Sequence, residues 1–243
     1  MTYNFAVVTP MANEEKDFYS FINGLTEVLN EMQCGKVYLV VDNASKDQTL
    51  SLCQNLAKSD NRFVAVWAPA SKNVVDAYLF GYRQAATAKH EYIIEMDAGL
   101  SHDPKEIPVF LSLLHKKYDC VFGSRFIAGG AIVDSTWKRT FLSKAGTLLS
   151  NLLLGTKMHD MTSGFQGFSL QTVKKILNYN LLSQAHFYQT EVRYLLRKTR
   201  FIEVPIQYRT PSPRVSKKAI LNSIYLLSYY TFKRVVFKAP VIK

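Results

Sequence analysis

The chain has 243 residues, 48% of them hydrophobic and 20% charged, which excludes a disordered or fibrous protein and leaves room for one large α/β domain or two small ones. The formal net charge of +11 is uneven: from Arg193 onwards there are 12 Lys or Arg against one acid, Glu203, leaving 18 basic and 18 acidic residues before it. Three distant cysteines (Cys34, Cys53, Cys120) and five histidines without zinc spacing exclude a disulfide scaffold and a structural zinc site, and residues 5–8 open an apolar strand with no basic leader, so a cytosolic chain is expected.

Apolar runs and helical periodicity alternate from the start. Residues 5–9 read as a strand, followed by a helix from Asn13 towards Glu31 with Phe18, Phe21, Ile22, Leu25, Val28 and Leu29 at helical spacing. A second strand, 36–42, ends in an acid, and Ser45 or Asp47 can cap the next helix. A third strand, 63–67, leads to a helix over about 72–88. The fourth strand spans 91–97; His102-Asp103-Pro104 then opens a helix, with Pro allowed in its first turn, and 119–123 is a fifth strand. Such repetition predicts a parallel sheet with right-handed crossovers.

Beyond Gly123 the regularity breaks. Residues 124–136 read as a loop, Trp137–Leu154 as a long helix, 159–164 as a polar turn and 165–170 as a short strand or a helix start. Helices over about 171–178 and 185–199 precede an alternating, strand-like stretch, 200–208. There is no internal repeat and no linker. The expected fold is an α/β domain over 1–215, Rossmann-like and mostly parallel with flanking helices, carrying a basic, aromatic, amphipathic helix at 216–243.

From Ala219 to Phe232 there are 14 residues without a charge, bracketed by Lys217-Lys218 and Lys233-Arg234. A bilayer span needs about 20 apolar residues, so this stretch is too short, and Asn222, Ser223 and Ser228 make it too polar. Tyr225, Tyr229, Tyr230 and Phe232 beside lysines fit a helix lying in the membrane interface; packing against the domain is the alternative. Nucleic acid is disfavoured, because the basic residues flank an apolar helix and do not line one polar face.

The most telling stretch is 91–104, EYIIEMDAGLSHDP. Its apolar run reads as a strand buried on both faces, ending at Asp97 and followed by Ser101, His102 and Asp103. Ligands of open α/β sheets bind beyond the carboxyl ends of the strands, and a carboxylate there suits a divalent cation carrying a diphosphate. The alternative is a turn that starts with Asp before an Asp-Pro helix start. Two further strand ends carry polar clusters, 9–14 and 42–47. A rim with Glu14, Asp42, Asn43 and Asp97 offers acceptors for base N–H groups and ribose hydroxyls beside a metal carboxylate. Neither a glycine-rich dinucleotide fingerprint nor a P-loop is present.

The pattern Pro10-x-x-Asn13-Glu14, then VVDNASKDQT, then MDAGLSHDP at a strand end resembles the family 2 glycosyltransferases of GT-A fold. FGSRF at 122–126, DMTSGF at 160–165, FYQTE at 187–191 and EVPI at 203–206 follow in the order seen in dolichyl-phosphate mannosyltransferase-like enzymes, so the resemblance covers about residues 4–218. It implies an inverting transfer from a GDP- or UDP-linked sugar to a polyprenyl phosphate, with magnesium or manganese, by a protein peripheral to the cytoplasmic face of a membrane in cell-envelope synthesis. Carried over, it implies that Pro10, Asn13, Glu14, Asp42 and Asn43 hold the nucleoside and that Asp97 sits at the diphosphate and metal. Ser124, Arg125 and Arg139 would meet the acceptor phosphate, while Asp160, Ser163, Gly164, Gln189 and Glu191 would line the sugar and acceptor side. Asp97, Arg125 and Glu191 are the expected catalytic residues.

Three positions depart from the family pattern. The second acid of its DxD motif is Gly99, so Ser101, His102 or Asp103 would complete the metal site, or Asp97 would act with phosphate oxygens and water. The glycine-rich turn expected near 73–75 is Asn73-Val74-Val75, and the second acid of the DDxSxD pattern is Asn43. A phosphate acceptor is already anionic and needs positioning, whereas a hydroxyl acceptor needs a base such as Glu191 or Asp160. Two rivals therefore stand beside polyprenyl phosphate as acceptor: a transferase acting on a saccharide hydroxyl, and a weakly catalytic nucleotide-sugar-binding scaffold.

Overall fold

The computed structural model describes residues 3–133, 137–209, 217–237 and 240–242. Its strands are β1 (Phe5–Met11), β2 (Lys36–Val41), β3 (Phe63–Trp67), β4 (Tyr92–Glu95), β5 (Cys120–Ser124), β6 (Ala131–Ile132), β7 (Gln166–Ser169), β8 (Phe201–Pro205) and β9 (Gln207–Tyr208). Seven form one sheet in the order β3-β2-β1-β4-β7-β5-β8, and β6 pairs with β9 beside it. Parallel pairing joins β1 to β2 and β4, β2 to β3, and β5 to β8, as the alternation predicts.

β7 is the antiparallel member of this mostly parallel sheet. The ambiguous stretch 165–170 forms a strand that runs antiparallel between β4 and β5. Gln166 stands opposite both Glu95 and Phe122. The residues just before β7 are thereby delivered to the edge where β4 and β5 end.

The helices are α1 (Phe18–Met32), α2 (Thr49–Ser59), α3 (Val74–Thr87), α4 (Ile107–His115), α5 (Trp137–Leu154), α6 (Leu170–Leu177), α7 (Phe187–Leu195) and α8 (Lys217–Val236). Both sheet faces are covered, and β1 shows how. Ala6 and Val8 join the core under α3, α6, α7 and α8, whereas Phe5 and Val7 join the core under α1 and α4. Period-two alternation between two apolar layers explains why the strands read as unbroken apolar runs. Each fully buried Phe or Leu contributes roughly 1.5–3 kcal/mol of transfer free energy.

Element starts differ from expectation where polar side chains intervene. α1 begins at Phe18, because Asn13 takes φ 60° and its turn is tied across to the loop after β2. α3 begins at Val74 because the Asn73 side chain accepts from the N–H groups of Val75 and Asp76 at 2.9 and 3.1 Å, which is a helix cap. A single 3-10 turn, Pro104–Glu106, precedes α4. Among the described residues no helix is long and apolar enough to cross a membrane.

Candidate active site

The carboxyl ends of β1, β2, β4 and β5 point to one edge, and the polar clusters named above meet there. The first two are stitched together. Asn13 Nδ2 donates to the Ala44 carbonyl (3.1 Å), the Lys46 N–H donates to Asn13 Oδ1 (2.8 Å), and the Glu14 N–H donates to Thr49 Oγ1 (2.9 Å). Asp42 accepts from the Ala44 N–H at 2.8 Å, and Asn43 Nδ2 donates to the Pro69 carbonyl at 2.7 Å. Pro10 closes this side, level with Val40 of β2. Such bonding holds the two loops against each other along the polar edge.

Asp97 is half-buried just beyond β4. The Tyr78 hydroxyl of α3 donates to its Oδ1 at 2.6 Å. On its other side lies Gly164, where a Cβ would stand 2.6 Å from Oδ2, so only glycine permits this approach. Gly99 takes φ +82°, and a Cβ there would lie 3.4 Å from Glu14 Oε2. The space into which a second acid of a DxD motif would project is therefore shared with Glu14. Burial raises the Glu14 pKa, and the charges of Asp17, Asp47 and Asp97 raise it further. Carboxylates are hard oxygen donors of the kind magnesium or manganese takes, and Asp97 and Glu14 lie near enough for their charges to interact.

The remaining expected metal ligands are placed differently. Asp103 Oδ1 accepts from the Lys105 N–H at 3.0 Å, as an N-cap, and its other oxygen lies 3.8 Å from Arg209. The Ser101 carbonyl accepts from the Arg209 N–H at 2.9 Å. His102 is 2% exposed, boxed between the rings of Phe165 and Tyr208, and neither ring nitrogen has a hydrogen-bond partner among the described residues. Burial lowers its pKa to about 4, and Asp97, Arg125 and Asp160 all act on it. Among the described residues no three His, Cys, Asp or Glu side chains converge to hold a metal. Chelation by Asp97 with residues 101–103 is therefore corrected: this loop builds the wall of the site.

Across that wall Arg125 and Asp160 pair. Arg125 Nε donates to Oδ2 at 2.7 Å and Nη2 to Oδ1 at 2.8 Å, a bidentate fork, and Nη2 also donates to Thr162 Oγ1. Tyr208 and Phe126 lie under the guanidinium, 5.4 and 5.1 Å from ring centre to Cζ. Burial opposes the Asp160 charge, but the Arg125 hydrogen bonds and charge, with Arg193, hold its pKa down to about 2. Glu203 of β8 accepts from the N–H groups of His159 and Asp160 at 2.8 and 2.9 Å and so fixes the turn. Ser124 and Ser163 are buried beside the pair, each accepting weakly, at 3.4 Å, from the N–H two residues on. The side chain of Arg139 lies outside the described residues.

Glu191 is the clearest correction. It is fully buried, and its carboxylate accepts from the N–H groups of Leu182 and Ser183, both at 2.8 Å, and from the Tyr230 hydroxyl of α8. These bonds tie α7, the preceding loop and α8 together, which places the carboxylate as structure. The substitution Glu191→Gln is expected to cost about 2 kcal/mol in stability, as for hydrogen bonds to a charged group, with turnover per folded molecule unchanged. Thermal unfolding and kcat measured together check this; an intact melting temperature with lost turnover would restore the base role. Gln189, on the same helix, is also buried.

Sequence reasoning passed over Tyr78 and the polar layer behind it. Glu95 is fully buried beneath Asp97, and burial raises its pKa to about 7 against hydrogen bonds from Tyr82, Gln166 and Tyr188. Tyr188 also stacks on Tyr78, 5.8 Å between centroids. An acid inside an otherwise apolar strand, with tyrosines four apart on the next helix upstream, was the available signal. Arg193 was also missed. It is 0% exposed and donates to the carbonyls of Asp160, Gly123 and Ser163, which brings β5 and the 159–164 turn together.

A mostly parallel sheet with an acidic rim on one side of its carboxyl edge and the Arg125–Asp160 pair on the other is the arrangement of a GT-A-like domain. The Glycosyl transferase family 2 profile matches residues 6–177, and the chain belongs to that family. It is 30% identical over 225 residues to the polyprenol monophosphomannose synthase of Mycolicibacterium smegmatis, covering 91% of this chain and 83% of that one. It is 29% identical over 172 residues to the undecaprenyl-phosphate mannosyltransferase of Micrococcus luteus, covering 70% of each. Among solved structures, glucosyl-3-phosphoglycerate synthase of Mycobacterium tuberculosis with Mn2+, uridine diphosphate and phosphoglyceric acid superposes with a TM-score of 0.63 at 15% identity, over 95% of this chain and 77% of that one. That likeness is one of fold.

Proposed function

We propose that this glycosyltransferase moves a hexose, mannose by the names of its sequence relatives, from a nucleoside diphosphate to a polyprenyl phosphate. One observation favours a phosphate over a hydroxyl acceptor. The two carboxylates expected to serve as base are both committed, Glu191 to backbone N–H groups and Tyr230, and Asp160 to Arg125. An acceptor phosphate needs no base, only a cation to position it.

In this reading a phosphate oxygen attacks the anomeric carbon from the face opposite the diphosphate. The carbon–oxygen bond to the diphosphate breaks, the nucleoside diphosphate leaves with the electron pair, and configuration inverts. Pro10, Asn13, Glu14, Asp42 and Asn43 cradle the nucleoside. Asp97, with Glu14 beside it, would hold a magnesium or manganese ion, whose chemistry is to stabilise charge on the departing diphosphate. Tyr78 and the Gly164 backbone fix the Asp97 carboxylate. Arg125, held by Asp160 and Thr162 with its side chain 8% exposed, contributes positive charge at the acceptor corner beside the buried Ser124 and Ser163. The domain is 1–215, and the helical tail works at the cytoplasmic membrane face.

The test offers GDP-mannose or UDP-glucose, each with and without manganese, together with a short-chain, water-soluble prenyl phosphate or a free oligosaccharide. A phosphate-linked, inverted product from one donor is the expected result. Transfer to the oligosaccharide alone, or nucleotide binding without transfer, overturns the reading.

A further inference from the structure

β4 ends in Glu95, and Asp97 stands two residues further on at the carboxyl edge. Glu95 is 0% exposed, and donors from three elements converge on it. Oε2 accepts from the hydroxyls of Tyr82 on α3 and Tyr188 on α7, the second at 2.9 Å, while Oε1 accepts from Gln166 Nε2 of β7 at 2.9 Å. The two tyrosine oxygens lie 3.2 Å apart. Burying a carboxyl group among such donors gains little stability over apolar side chains of the same volume. What a fully bonded buried network does supply is a fixed geometry.

Tyr188 connects this network to Asp97. Its ring lies against that of Tyr78, with centroids 5.8 Å apart and planes 13° from parallel. The Tyr78 hydroxyl donates to Asp97 Oδ1 at 2.6 Å. Contacts therefore run from Glu95 through Tyr188 and Tyr78 to Asp97, and the backbone through Met96 closes the loop. Dispersion between stacked rings fixes no angle, whereas a hydrogen bond does. The Glu95 bond is thus what sets the plane of the Tyr188 ring.

α7 is itself immobilised. Glu191 is bound to Leu182, Ser183 and Tyr230, Thr190 Oγ1 donates to the Met161 carbonyl at 2.8 Å, and Arg193 donates to the carbonyls of Asp160 and Ser163. One helix therefore reaches the donor-side carboxylate through Tyr188 and the Asp160 turn through Arg193.

We propose that Tyr188 is a positioning residue for the donor side: its hydroxyl, anchored on Glu95, holds the ring on which Tyr78 stacks, and Tyr78 aims the Asp97 carboxylate at the diphosphate and its metal. This role rests on the assignment of Asp97 made above and is independent of the acceptor.

Binding of GDP and of UDP is measured by calorimetry with and without manganese, for the wild type, Tyr188→Phe, Tyr78→Phe and the double variant, below the melting temperature of each. Tyr188→Phe keeps the ring. It is expected to weaken manganese-dependent binding about tenfold, as loss of an outer partner of a metal ligand does, and to leave metal-free binding unchanged. The double variant should lose no more than Tyr78→Phe alone, because both substitutions break one path. Tyr194→Phe removes another buried hydroxyl from α7, one with no hydrogen-bond partner among the described residues, and should bind as the wild type does. Full manganese-dependent affinity in Tyr188→Phe, equal losses with and without the metal, losses that multiply in the double variant, or a like loss in Tyr194→Phe would each overturn the proposal. A wild type that binds neither nucleotide, or binds one without regard to manganese, overturns the Asp97 assignment along with it. Manganese-dependent binding without transfer to a prenyl phosphate sinks only the acceptor reading.

Discussion

Replacing Asp160 by Asn is expected to destabilise the domain by about 3–5 kcal/mol, because it strands the buried Arg125 guanidinium without a counter-charge. The pair is nearly sealed, with the Arg125 and Asp160 side chains 8% and 0% exposed. Urea unfolding at pH 7 should show a lower midpoint with an unchanged slope. Making the pair apolar, as Arg125→Met with Asp160→Leu, should recover much of the loss, since two neutral side chains carry no desolvation cost. A single variant as stable as the wild type would mean that solvent reaches the pair.

Acid offers an independent reading of the same pair. The Asp160 carboxyl sits at about 2 in the fold against an ordinary 3.8. A depressed carboxylate contributes stability that is fully present above its unfolded pKa and lost as pH falls through the folded one. About 2 kcal/mol should therefore disappear between pH 4 and pH 2 in the wild type. Asp160→Asn should lack that slope.

The second large effect concerns Asp97. Asp97→Asn keeps the shape and the Tyr78 contact but removes the charge, and transfer is expected to fall by about 10²–10³, as when one preorganised electrostatic partner is removed. Manganese-dependent nucleotide binding, read by calorimetry, should weaken in parallel while the melting temperature holds. Gly164→Ala should reproduce the effect at smaller scale, roughly tenfold, because its Cβ would lie 2.6 Å from Oδ2 and must push the carboxylate aside. If Asp97→Asn binds manganese and nucleotide as the wild type does, the diphosphate is held elsewhere and the Arg corner becomes the place to look.

Much of this was readable before any coordinates. The apolar runs of β1, β2 and β4 and their acidic ends marked a parallel sheet with a polar rim, because strands buried on both faces have no other composition and loops at the carboxyl ends alone carry the chemistry. Motif order along 160–165 and 203–206 pointed to the family, which the comparisons then showed.

What each polar residue does was a different matter. Asp160 and Glu191 read alike in the sequence, two acids in polar contexts. The fold gives one to Arg125 and the other to Leu182, Ser183 and Tyr230. Gly164 could be marked as a site residue, but its contact with Asp97 needed the antiparallel insertion of β7, a pairing across more than sixty residues that local periodicity cannot encode. The apolar spacing of α5 marked a helix and not which side faced inward. A helical stripe shows only that one face wants an apolar neighbour. Here Thr147, Ser150 and Asn151 sit against the domain, and Leu142, Leu148, Leu149 and Leu152 are exposed. Apolar periodicity determined the sheet and its rim, and motif order the family; long-range pairing decided which acids are held as structure and which stand at the sheet's carboxyl edge.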